Sequence, residues 1–175
     1  PRARASVPAE APAVEIDAAR GTVSGSPSVG ILGLNYWGDV RIRADDVKVE
    51  GAGIGISAIA LGNIAVEAGN VESGGRGIFL SAAGGNRLTV TGDVIAKNHV
   101  AIEMGAGSGQ SVLNIAKGAT VIGGGKRNPA DDPYTGPGNA IIVGSESGVV
   151  INNAGTIRNL GDRYTIFVVD QYNYD

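Results

Sequence analysis

Chemistry in this chain would have to come from carboxylates and one histidine, because it holds 17 Asp+Glu, a single His and no Cys. Acids stand side by side at Asp45-Asp46 and Asp131-Asp132. Paired carboxylates can hold Ca²⁺ or divide the roles of general acid and base. Adjacent acids in turns are also ordinary solvated turn formers, and both pairs are read so. His99 lies in Lys97-Asn98-His99-Val100 with no plausible nucleophile beside it, and reads as a surface turn residue. Without Cys and with one His, the N/S ligand set of a zinc site cannot be assembled. Gly-rich pieces such as Gly51-Ala52-Gly53 lack the phosphate-loop lysine. The expectation is no catalytic residue, no metal site, no cofactor and no enzyme. The segment 123–139, GGGKRNPADDPYTGPGN, is the one candidate of another kind, gathering Lys126, Arg127, Asp131, Asp132 and Tyr134 between glycines. Long loops in compact repeats often carry binding.

Charge and composition narrow the partners. Fourteen Lys+Arg against 17 Asp+Glu give a net charge of −3, which offers neither a nucleic-acid footprint nor a polybasic membrane patch. No stretch reaches the 18 apolar residues of a membrane helix. Glycine is 29 of 175 residues and aromatics are 5%, so a core must be built from small and branched side chains. These suit pleated, stacked strands.

The elements that must position any site repeat along the chain. The first run of each period is Gly30-Ile31-Leu32-Gly33, Gly55-Ile56-Ser57-Ala58, Gly77-Ile78-Phe79-Leu80, Ala101-Ile102-Glu103-Met104, Ala140-Ile141-Ile142-Val143 and Thr165-Ile166-Phe167-Val168. The isoleucines at 31, 56, 78, 102, 141 and 166 are separated by 25, 22, 24, 39 and 25 residues. The 39 is one normal period plus the insertion 123–139. A second run follows as Val40-Arg41-Ile42, Ile64-Ala65-Val66, Leu88-Thr89-Val90, Leu113-Asn114-Ile115 and Val149-Val150-Ile151. A third includes Val47-Lys48-Val49, Asp93-Val94-Ile95 and Thr156-Ile157-Arg158. Each run alternates with the period of a half-buried strand.

Three short strands per 22–25 residues, recurring in one order, predict that each strand pairs with its counterpart one period later. The predicted fold is all-β: a right-handed, single-stranded parallel β-helix of about six rungs of three strands, the hand following the general crossover preference. Residues 1–12 read as a flexible leader and 13–175 as a β-helix fragment. The start at Pro1 and a last run without a polar cap read as a piece of a longer chain. If the repeat isoleucines point inward, so do Gly33, Ala58, Leu80, Met104, Val143 and Val168. Leu32, Ser57, Phe79, Glu103, Ile142 and Phe167 then point outward. No sheet presents a cluster of acids. Leu32, Phe79, Ile142 and Phe167, flanked by Tyr36 and Trp37, form an outward apolar row that could be a partner surface.

Ile151-Asn152-Asn153-Ala154-Gly155-Thr156-Ile157-Arg158-Asn159-Leu160-Gly161 resembles the NxGTIxxxG rung repeated in bacterial autotransporter passenger domains, within the wider pectin-lyase-like β-helices. Val112–Gly123 is a weaker version. The resemblance implies export to the surface of a Gram-negative bacterium or release from it, further β-helix and a membrane barrel downstream, and adhesion to host-cell or matrix glycan or protein, or display. Two other readings remain open: a polysaccharide lyase or hydrolase whose catalytic rungs lie outside this fragment, and a structural spacer.

Overall fold

Val, Ile and Leu alternate with polar residues over stretches of four to ten residues, with Gly, Asn and Asp between them. Each stretch therefore has one face to bury and a turn at each end. The computed structural model of the chain describes residues 13–25, 28–126 and 137–169. Within these every regular element is a strand: β1 (Val14–Gly25), β2 (Val29–Asn35), β3 (Val40–Val49), β4 (Ile54–Ala60), β5 (Ile64–Ser73), β6 (Ile78–Ala82), β7 (Asn86–Val90), β8 (Asp93–Ala96), β9 (Ile102–Ala106), β10 (Ser111–Ile115), β11 (Thr120–Gly123), β12 (Ile141–Ser145), β13 (Val149–Asn153), β14 (Thr156–Asn159) and β15 (Ile166–Val169).

Every strand pair is parallel, and each strand lies against its counterpart one period away. The first runs make a six-stranded sheet in the order β15-β12-β9-β6-β4-β2, and the remaining strands form a nine-stranded sheet. This is a parallel β-helix of about six turns. The register carries Ile31 onto Ile56, Ile78, Ile102, Ile141 and Ile166. The inward column Gly33, Ala58, Leu80, Met104, Val143 and Val168 runs beside it, two residues on. The long period does not disturb this order. β9 pairs directly with β12, so the register is kept across the 39-residue spacing.

The three runs do not make three separate sheets. In β1, β3 and β5 the second and third runs are one bent strand. From β7 onward two to four residues part them, as at 91–92 and 116–119. The Asp45-Asp46 pair lies at this bend inside β3, not in a turn between strands, and Asp46 Oδ2 accepts the Thr22 hydroxyl hydrogen at 2.9 Å.

One interior corner is polar. Asn86 and Ser111 occupy the inward column of Val40, Ile64 and Val149, and both are buried. Asn86 Nδ2 donates to the Gly105 carbonyl and Ser111 Oγ to that of Gly144, the latter at 2.8 Å. These bonds tie the nine-stranded sheet to carbonyls of β9 and β12 in the six-stranded one. The opposite corner is held tight by glycine. A Cβ on Gly74 would run into the Gly51 carbonyl oxygen one turn below.

Ile102 has no exposed surface and sits between Ile78 and Ile141, whereas Leu32 is half exposed. Ile102→Ala should therefore cost about 3–4 kcal/mol through lost burial plus cavity. Leu32→Ala should cost no more than about 0.5 kcal/mol. Urea unfolding of the two variants measures the difference, and equal losses would contradict the inward assignment of the isoleucine column.

Candidate binding surface

On the outer face of the six-stranded sheet the register aligns Leu32, Ser57, Phe79, Glu103, Ile142 and Phe167 in one row, the outward set expected from the sequence. Their exposure is not uniform, and the row is not one apolar patch. Leu32 is open, Phe79 and Phe167 are half-buried, and Ser57, Glu103 and Ile142 are buried. Ile142 is therefore removed from the accessible surface, against the expectation that it forms part of an open row.

Glu103 is 1% exposed. Its Oε2 lies 2.8 Å from Arg76 Nε, an electrostatic approach without an aligned N–H···O bond. The Arg76 guanidinium carbon lies 5.3 Å from the Phe79 ring centroid, within cation–π range. One arginine from the turn before β6 thus covers a phenyl ring and neutralises a carboxylate one turn further on. At the end of the row Tyr164 stacks on Phe167, with centroids 5.4 Å apart and planes 16° from parallel. Arg76 and Tyr164 belong to turns, where strand periodicity says nothing about direction, and the sequence reading passed over both.

Open apolar side chains fall in two groups, one at the first two turns and one at the last turn with Val150, Leu160, Tyr164, Ile166 and Val168. Leu32, Leu34, Tyr36, Trp37 and Leu61 are all exposed, Tyr36 by 60% and Trp37 by 84%. Leu34 lies two residues beyond Leu32 on the outer face of β2. The Leu61 N–H donates to the Asn35 carbonyl at 3.0 Å, which sets Leu61 beside Tyr36. The turn carrying the aromatics is clamped. Asn35 Oδ1 accepts the Trp37 N–H at 3.0 Å while Asn35 Nδ2 donates to the Asp39 carbonyl at 2.9 Å. Asp39 Oδ1 accepts the Asn63 N–H at 2.7 Å, tying this turn to the one above. Two aromatic rings are thereby presented outward on a fixed backbone. Leu32, Tyr36 and Trp37 were legible in the sequence, whereas Leu34 and Leu61 join them only through the stacking.

The outer face of the nine-stranded sheet is charged and paired. Arg41 meets Glu15 at 3.0 Å, Arg43 meets Glu67 at 3.3 Å and Lys97 meets Glu72 at 2.6 Å. The rows here differ from the sequence alignment of the second run. Arg41 stacks with Ala65 and Arg87, and Thr89 and Asn114 belong to the neighbouring row of Arg43 and Glu67. Among the described residues no group of three or more His, Asp and Glu is placed to hold a metal ion. His99 is half-buried at the corner after β8, its Nδ1 accepting the Val100 N–H at 2.9 Å. Lys126 is exposed. Arg127, Asp131, Asp132 and Tyr134, and the expected leader, lie outside the described residues.

No protein-family model, curated protein or solved structure matches the chain.

Two tests follow from these charges. Arg76→Ala should cost about 3 kcal/mol, since it leaves Glu103 buried without its guanidinium, and Glu103→Gln in the same background should restore part of the loss. A double-mutant cycle on urea unfolding reads this, and simple additivity would dissolve the pair. The Glu72 carboxyl is held below its ordinary range first by the Lys97 hydrogen bond, which burial opposes, and then by the lesser effects of the Lys97 and Lys48 charges. A depressed folded-state carboxyl stabilises above its unfolded pKa, and the benefit is lost as pH falls through the folded value. Both side chains are solvent-exposed, so Glu72→Gln should lose less than about 1 kcal/mol at neutral pH. That difference should vanish in acid, as followed by unfolding midpoints across pH.

Proposed function

We propose that this chain is part of a surface-exposed β-helical rod of the autotransporter-passenger type, and that its aromatic corner makes an adhesive contact with a host-cell or matrix protein. The observation that carries this reading is the exposure of Leu32 and Leu34 on β2, Tyr36 and Trp37 on the clamped turn after it, and Leu61 one period later. Trp and Tyr are the side chains most often found as energetic anchors of protein interfaces. Holding them rigid before contact lowers the entropic cost of binding. The three leucines favour a protein over a sugar, because they add apolar area without a donor or acceptor for hydroxyl groups.

The passenger-like rung agrees with the local chemistry of its corner. In Asn153-Ala154-Gly155-Thr156-Ile157-Arg158-Asn159-Leu160-Gly161, Asn153 Oδ1 accepts the Gly155 N–H and Asn159 Oδ1 the Gly161 N–H, each at 3.0 Å. The asparagines close the turns on either side of β14. This explains why such a motif suits a stacked turn and supports the passenger reading through architecture.

The test is binding of the labelled chain to host cells, matrix proteins and a glycan array, with Trp37→Ala and a deletion of 123–139 alongside. Trp37→Ala should weaken cell or matrix binding by about tenfold or more, the scale of an interface hot spot, with an unchanged circular dichroism spectrum. Binding that survives Trp37→Ala but disappears with the deletion would move the contact to the insertion. Binding confined to the glycan array would replace the protein partner with a sugar.

A further inference from the structure

The geometry points to a cleft for a sulfated glycan on the outer face of the nine-stranded sheet, centred on Ala65. Arg41, Ala65 and Arg87 stand there in one row on successive turns, with Arg43, Glu67 and Thr89 in the next. Alanine is the short member of a row walled by arginines, so its place is a notch. A cleft of about 290 Å³ opens over it, and Arg41, Arg43, Glu67, Arg87 and Thr89 are among the residues that line it. Neighbouring strands lie about 4.8 Å apart, which puts the two row arginines roughly 10 Å apart across the alanine. Arg43 stands about 6.6 Å along the strand from Arg41. One anionic group seated on Ala65 is within reach of all three.

These cations are not used up by the acids around them. Arg41 gives Nη1 to Glu15 one turn below, and Arg43 gives Nε to Glu67, all four side chains being more than half exposed. A guanidinium has five N–H donors, so each arginine keeps others for a ligand. Arg87 is exposed and, among the described residues, belongs to no ion pair. Three guanidiniums against the carboxylates of Glu15 and Glu67 leave one positive charge unmatched, although the whole chain carries −3. A single surplus charge suits the monoanion of a sulfate ester better than a phosphate monoester, which is nearly a dianion at neutral pH. A tetrahedral oxyanion also turns oxygens in several directions, whereas a carboxylate offers one planar edge to one guanidinium.

The cleft continues beyond the notch. Thr89 also lines a second hollow of about 480 Å³, together with Asn114, Asn152 and Asn153. Thr89, Asn114 and Asn152 carry on the row of Arg43 and Glu67. Their hydroxyl and amide groups both donate and accept, as sugar hydroxyls do. From β3 to β13 the two hollows cross four strand spacings, about 19 Å, the length of a short oligosaccharide. A basic notch followed by a neutral, hydrogen-bonding floor matches a sugar chain that bears sulfate on one of its units. Tyr36 and Trp37 line neither hollow, so this site is distinct from the aromatic corner.

Calorimetric titration with a heparin hexasaccharide, its desulfated counterpart and inorganic sulfate tests this. The sulfated hexasaccharide should bind, less tightly as salt rises, and the desulfated one about tenfold or more weaker. Arg87→Ala should cost about tenfold or more in affinity with an unchanged urea midpoint, because Arg87 supports no ion pair. Arg87→Lys should recover only part of the loss, since an ammonium lacks the guanidinium fork. Ala65→Glu fills the notch with the chain's own carboxylate at an exposed position, and should abolish binding with the fold retained. Trp37→Ala and Lys117→Ala, the latter removing an exposed cation from a distant turn, should leave the affinity unchanged. The inference is overturned if the hexasaccharide does not bind, if its desulfated form binds equally well, or if inorganic sulfate binds as tightly as the sugar. It is equally overturned if Lys117→Ala weakens binding as much as Arg87→Ala, the mark of diffuse charge attraction, or if Trp37→Ala alone removes it.

Discussion

A rung of this protein has almost no hydrogen bonds of its own to keep. Its strands donate and accept across to the turns on either side, Ile54 N–H to the Ser28 carbonyl and Ile78 N–H to the Ala101 carbonyl among them. Parallel pairing in register is therefore the interaction on which everything else depends. A slip by one residue would turn the isoleucine column to solvent and bring Glu103 and Arg41 inside. Burial alone could not order a single rung of some two dozen residues against its chain entropy, so rungs hold only as a stack.

The same register that fills the interior also arranges the outside. Once Ile56 lies over Ile31, Ser57 must lie over Leu32, and the exterior becomes a set of rows with no further design. Some rows neutralise themselves, as with Arg41 and Glu15 or Arg43 and Glu67. Arg76 shields both Phe79 and the buried Glu103. The turns carry the remaining individuality. Where Asn35 grips its own turn from both sides, the chain can expose an indole without losing backbone order.

Reading the sequence located the isoleucine column correctly even across the 39-residue gap, because the interior tolerates little but branched aliphatics at that position. It misaligned the second run by two residues at β7 and β10. There the first inward position is Asn86 or Ser111, and a hydrophobic pattern begins two residues late. A slip of two preserves which side faces out, so the inside and outside were right while the neighbours in a row were not. Ile142 shows the complementary limit. Its strand phase points outward, yet it is fully buried, and strand phase does not report whether other parts of the chain cover that face.

The sequence by itself determined the period, the parallel pairing and the inward faces, because each is enforced at every turn by the same local choice between a branched aliphatic and a polar residue. Only the tertiary structure decided that two of the three runs share one bent sheet, since that depends on whether a few intervening residues continue the strand or break it. It also decided which turn residues meet. Leu61 follows Tyr36 and Trp37, and Glu103 follows Arg76, by about one period of the chain, and each pair comes together because one full turn of the coil returns the backbone to the same place.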